Sequence, residues 1–168
     1  MIEVEVVGVR IELPSNQPLV LLRESAGERH LPIWIGAPEA SAIAFVQQGI
    51  VPPRPMTHDL LVDVVTAAGR SIREVRIISV EDTVYHAQLV LDDGVTVGSR
   101  ASDALAVALR VPCPVYCADE VLAIAGVEIA EAEDDEDGAG SGTGETAENE
   151  VQQFREFLAD VEPEDFER

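Results

Sequence analysis

Lysine is absent from the chain: all 11 basic residues are arginine. No P-loop amine and no Schiff-base lysine is therefore available. Positive charge is scarce altogether, with 32 acids against those 11 bases and a net charge of −21. Such a chain repels phosphate at long range, which excludes field-driven, non-specific binding to nucleic acid or anionic membrane. Only a local basic patch or a bound cation would reverse this. Cysteine is nearly missing too. Cys113 and Cys117 are too few and too close to staple a fold, no second pair completes a zinc site, and the three histidines are scattered. Buried free thiols are the expectation. No apolar run reaches the roughly 18 residues that a membrane span needs, and Met1-Ile2-Glu3-Val4-Glu5 carries no basic signal-peptide region. A soluble, cytoplasmic protein without a membrane partner is expected. The G-x-x-x-x-G-K, G-x-G-x-x-G, G-x-S-x-G and H-E-x-x-H motifs are also absent.

What is present suits one domain and a tail. Of 168 residues 46% are hydrophobic, enough for a real core. The charge is uneven: residues 1–127 hold 16 acids and 9 arginines, and residues 128–168 hold 16 acids and 2 arginines. Residues 128–150, with the acid run Glu131–Asp137 and a Gly/Ser/Thr stretch, read as a disordered, self-repelling linker. Residues 151–168 recover helical spacing at Val151, Phe154, Phe157, Leu158 and Val161. This predicts a short amphipathic helix that docks on its own domain, on a second subunit or on a protein partner.

Within 1–127 the periodicities predict the order βββ-αα-βββ-α-β-α. Alternating Val4, Val6, Val9 and Ile11 mark a strand with a bulge near Val7-Gly8. Leu19–Arg23 and Arg29–Ile35 complete an antiparallel meander. A helix from Pro38 to Gln48 stops at Gly49, and a second from His58 to Ala68 stops at Gly69. Three strands follow, over 73–80, 83–91 and 95–97. A helix through Arg110, a short strand Val115–Cys117 and a last helix Asp119–Ala125 close the domain. Strands followed by helices, twice, indicate an α+β class with antiparallel or mixed sheets and helices packed on them.

Chemistry-bearing residues gather at helix starts. Arg54-Pro55-Met56-Thr57-His58-Asp59 brings a base, a hydroxyl, an imidazole and a carboxylate to one end. Thr57 reads as an N-cap, and Leu60, Leu61, Val64, Val65 and Ala68 read as the face that packs on the core. Ser99-Arg100-Ala101-Ser102-Asp103 repeats the pattern, with Ser99 or Ser102 as the cap, and Glu39 opens the first helix. Each cluster alone is explained by capping and by acids at the positive end of a helix dipole. Together they form the inventory of metal-assisted phosphodiester hydrolysis, provided the three starts converge. Glu39, Asp59 and Asp103 would hold the cation, His58 would activate water, and Arg54 and Arg100 would grip phosphate.

The stretches Leu31-Pro32-Ile33-Trp34-Ile35-Gly36 with Glu39-Ala40, Arg54–Leu61 and Ser99–Ala104, in that order and spacing, resemble the bifunctional nuclease family. The resemblance spans about residues 1–127 and leaves out the tail. It implies a nuclease assisted by Mg2+ or Mn2+, acting on DNA and RNA, on an α+β domain that self-associates into a homo-oligomer. Two positions depart from the family pattern: Gly98 stands where an acid usually precedes the Ser-Arg pair, and Ala101 where proline is common. The alternative is a non-enzymatic, oligomeric regulatory or binding module on the same fold, with its acidic tail bound to a basic partner.

Overall fold

In a computed structural model of the chain, residues 1–13 and 15–128 are described. The linker and C-terminal helix expected beyond Glu128 lie outside these residues. The elements are β1 (Ile2–Glu12), β2 (Gln17–Glu24), β3 (Arg29–Trp34), α1 (Ala37–Gln47), α2 (Thr57–Ala67), β4 (Ile72–Glu81), β5 (Val84–Leu91), β6 (Thr96–Arg100), α3 (Ala101–Ala108), β7 (Val115–Cys117), α4 (Asp119–Ala125) and β8 (Val127–Glu128). The class is α+β, as the order of elements indicates. The two-residue β8 was not legible in the sequence.

All eight strands join one mixed sheet, in the order β6-β5-β4-β7-β1-β2-β3-β8. The meanders β1-β2-β3 and β4-β5-β6 form its two halves, and β7 joins them, antiparallel to β1 and parallel to β4. The bulge falls where the sequence places it, between Val6 and Gly8. The sheet also curls. The Tyr85 hydroxyl on β5 donates to the Pro32 carbonyl on β3 at 3.3 Å, although four strands separate them in the sheet order.

Burial follows the strand period: Pro18, Val20 and Leu22 alternate with more open neighbours on β2. One core joins both halves, with Leu22, Leu31, Ile77 and Val75 packed beside Ile43 of α1, Leu105 of α3 and Leu122 of α4. Cys117 lies inside this core and Cys113 at its edge, both as free thiols. Burial pushes the Cys117 thiol up to about 12. Helix α3 touches α1, α2, β4 and β5, so it is the centre of the helical layer. None of the four helices among the described residues is long and apolar enough to cross a membrane.

Helix α2 departs from its expected packing. Leu60 and Val64 are 56% and 60% exposed, and no α2 residue is fully buried. The side that meets the domain carries His58, Asp59 and Val62, together with Val65 from the expected face. The polar start of the helix is bonded inward, and this turns the more apolar stripe outward.

Candidate functional site

Three chain segments deliver the site. The turn after β3 ends at Gly36, which is the N-cap of α1, and Glu39 sits in the first turn with its carboxylate folded back over Gly36. A Cβ at Gly36 would collide with that carboxylate. Strand β6 runs into α3 without a loop, so Arg100 is both the last strand residue and the helix N-cap, with Asp103 one turn on. The Pro-rich connector after α1 leads into α2, whose second and third residues are His58 and Asp59.

These helix starts converge. The Arg100 guanidinium donates from Nε to Asp103 Oδ2 at 2.7 Å, and from Nη2 to Asp103 Oδ1 at 3.0 Å and Glu39 Oε1 at 2.7 Å. His58 Nε2 lies 3.1 Å from Asp103 Oδ1. One chain of polar contacts therefore runs from α1 through α3 to α2. Glu39 and His58 are mostly enclosed, whereas the Arg100 side chain is 68% exposed. Arg100's pKa is raised, first by its bond to Asp103 and then by that to Glu39. Burial would push the Asp103 carboxyl up, but the bonds from Arg100 and His58 outweigh it and hold it below the usual carboxylate range.

Asp59 takes a different partner. Arg110 Nε donates to Asp59 Oδ1 at 2.5 Å, and the same guanidinium reaches the carbonyls of Ala42 at 3.2 Å and Ala106 at 2.7 Å. The Arg110 side chain is only 7% exposed and ties α1, α2 and α3 together. Sequence reasoning passed over Arg110 as a helix end. The signal was a lone charge in the apolar run Ala104–Val111, which needs a buried partner. Asp59 also accepts from the Met56 amide at 2.8 Å. Burial raises its pKa, and these two donors more than offset the rise.

The expected caps are not caps. Thr57 is the first residue of α2, Met56 occupies the N-cap, and the Asp59 carboxylate reaches back to satisfy the free amide. Ser102 lies buried inside α3, Arg100 holds the N-cap position, and among the described residues Ser99 Oγ is buried without a hydrogen-bond partner. Arg54 is exposed in the connector. It lines an open cleft of about 400 Å3 with Asp59 and Asp63, and among the described residues it forms no ion pair.

The geometry allows acid–base chemistry. An imidazole held through one nitrogen by a carboxylate is fixed in tautomer and orientation. With Nε2 turned to Asp103, Nδ1 is the nitrogen left to take a proton. Arg100 uses three of its five N–H groups on carboxylates, which leaves the Nη1 pair for an anion.

Residues 20–130 match the family described as Bifunctional nuclease domain. The chain belongs to this family. Two relatives from Mycobacterium tuberculosis, Uncharacterized protein MT1877 of strain CDC 1551 / Oshkosh and Uncharacterized protein Rv1829 of strain ATCC 25618 / H37Rv, are each 49% identical over 164 residues. Those alignments cover 98% of this chain and 97% of each relative. The family description suggests nuclease activity, and all six residues singled out for chemistry fall within the matched stretch.

The carboxylates expected to hold Mg2+ or Mn2+ do not fit that task as the chain folds. Among the described residues no three His, Cys, Asp or Glu side chains are grouped as a cation would need. Asp59 faces Arg110, and Arg100 occupies the space between Glu39 and Asp103.

Proposed function

We propose that the chain hydrolyses phosphodiester bonds in DNA and RNA at the Glu39–Arg100–Asp103–His58 cluster. The observation that carries this reading is the convergence of three helix starts on one chain of polar contacts, within a family described as nuclease. In this reading Nδ1 of His58 takes the proton of the attacking water, and Asp103 holds the ring and stabilises the imidazolium that forms. The Nη1 edge of Arg100 meets the phosphoryl oxygens as negative charge builds on them. Arg54, exposed beside the cleft, binds a flanking phosphate. Assistance by Mg2+ or Mn2+ is implied by the resemblance alone, and no step of this reading runs through the ion. A cytoplasmic location is supported by two unpaired cysteines.

The test is cleavage of labelled single- and double-stranded DNA and RNA by the purified full chain, with Mg2+, Mn2+ and EDTA arms. His58→Ala is expected to lower the rate by at least 10²-fold, the usual contribution of a general base, with the domain still folded by circular dichroism. Cleavage equal to the parent's would remove His58 from the reaction.

One observation favours a second reading, an oligomeric binding module. Leu60, Leu61 and Val64 form an exposed apolar stripe on α2. In this reading a second copy covers that stripe. Sedimentation of the parent and of Leu60→Ser/Val64→Ser tests it. The parent should associate and the double variant should be monomeric; a parent that stays monomeric at high concentration would count against self-association through α2.

A further inference from the structure

We propose that Arg100 occupies the seat a divalent cation would take between Glu39 and Asp103, so that guanidinium and metal compete for one place. A single nitrogen, Nη2, lies 2.7 Å from Glu39 Oε1 and 3.0 Å from Asp103 Oδ1. It therefore bridges one oxygen from each of two carboxylates delivered by different helices, as a bridging cation does. The Nε bond to the second Asp103 oxygen completes the clamp. Mg2+ requires oxygens at about 2.0–2.1 Å and a shell of further ligands. The space holding Nη2 cannot hold both groups, and the carboxylate oxygens facing it are already engaged.

The charges show why exchange is possible. Glu39 and Asp103 bring two negative charges, and Arg100 returns one positive. A divalent ion in the same seat would neutralise the pair fully. Against this stand three charge-assisted hydrogen bonds and the tether of the chain, which keeps the guanidinium at high local concentration. The side chain has a way out, because it is 68% exposed at the end of β6, while the Glu39 side chain is only 14% exposed. As the chain stands, the cluster is closed to metal by its own arginine. This holds whether or not the chain cleaves nucleic acid, because the test reads metal binding alone.

The experiment is Mn2+ binding to the full chain without nucleic acid, followed by electron paramagnetic resonance of the free ion. Salt of about 0.15 M suppresses the loose association of Mn2+ with exposed acids. Parent, Arg100→Ala, Arg100→Lys and Glu39→Gln/Arg100→Ala are compared, with circular dichroism as the control for fold. Arg100→Ala is expected to gain a site at least tenfold tighter than any in the parent. Arg100→Lys should stay close to the parent, since it returns the positive charge. The double variant should lose the gain. Arg100→Gln replaces Arg100→Ala if the latter does not fold. Equal Mn2+ binding by the parent and the Arg100 variants, including no binding by either, would overturn the proposal. So would a gain that survives Glu39→Gln.

Discussion

Helices α2 and α3 lie side by side, each opens on polar residues of the same cluster, and they are held in opposite ways. In α3, Ala101, Ser102 and every residue from Ala104 to Ala108 are buried. In α2 no residue is. Small and branched apolar residues let α3 sink among α1, β4 and β5 at close packing. Helix α2 rests on half-buried Met56, Val62 and Val65 and on bonds from its first turn: His58 to Asp103 and Asp59 to Arg110. The residues proposed for chemistry are therefore also the latch of a helix. A change at the site should loosen α2 and leave α3 in place.

The largest effects should separate the two helices. Leu105→Ala removes a side chain with no exposure from the centre of α3. It is expected to cost about 2–5 kcal/mol and to lower the stability of the whole domain in denaturant. Arg110→Ala strips the Asp59 carboxylate and two main-chain carbonyls of their shared donor. Because Asp59 is partly solvated, about 1–3 kcal/mol is expected. The distinguishing readout is hydrogen exchange: the α2 amides should lose protection well before those of α3. Equal loss of protection in both helices would mean that α2 is held by its apolar contacts after all.

This division explains what could be read from the chain in advance. The meanders, the Gly8 bulge, the helix starts and the glycine stops at positive φ, Gly49 and Gly69, are local events, and local residues specify them. The inward face of α2 is not local. Leu60, Leu61 and Val64 point to one side by spacing, and a rule that buries apolar residues assigns that side to the core. The competing demand comes from Arg110, 51 residues after Asp59, and from Asp103, 45 residues after His58. Buried or half-buried charges must find partners, and here their pairing sets the rotation of the helix. The caps misled for a related reason. Thr57 and Ser102 are good capping types, but α2 begins at Thr57 with the Asp59 carboxylate reaching back to the Met56 amide, and α3 begins directly after Arg100 with no side-chain cap. That Glu39, Asp103, His58 and Arg100 belong together was legible as an inventory of residue types. That Arg100 would stand between two carboxylates was not, because no spacing rule encodes a contact across 61 residues.

The smallest separation should come from pH. Asp59 and Asp103 both titrate below the usual carboxylate range, because their hydrogen-bond donors outweigh the cost of burial. Unfolded, each would have a pKa of about 3.9. A depressed carboxylate contributes its stabilisation in full above the unfolded value and loses it as pH falls through the folded one. The latch of α2 should therefore hold at neutral pH and release progressively below about pH 4. Helix α3 meets the same two carboxylates, Asp103 in its first turn and Asp59 through Arg110, but its buried residues from Ala104 to Ala108 hold it independently of them, so its amides should stay protected further into acid. Asp59→Asn should weaken the latch at neutral pH and flatten the acid response of α2, since one of its two titrating anchors is gone. Exchange of α2 and α3 amides between pH 3 and pH 6, corrected for intrinsic rates, checks this. A parallel decline of both helices in the parent would show that acid unfolds the domain as one unit and that the carboxylates of the cluster do not hold α2 separately.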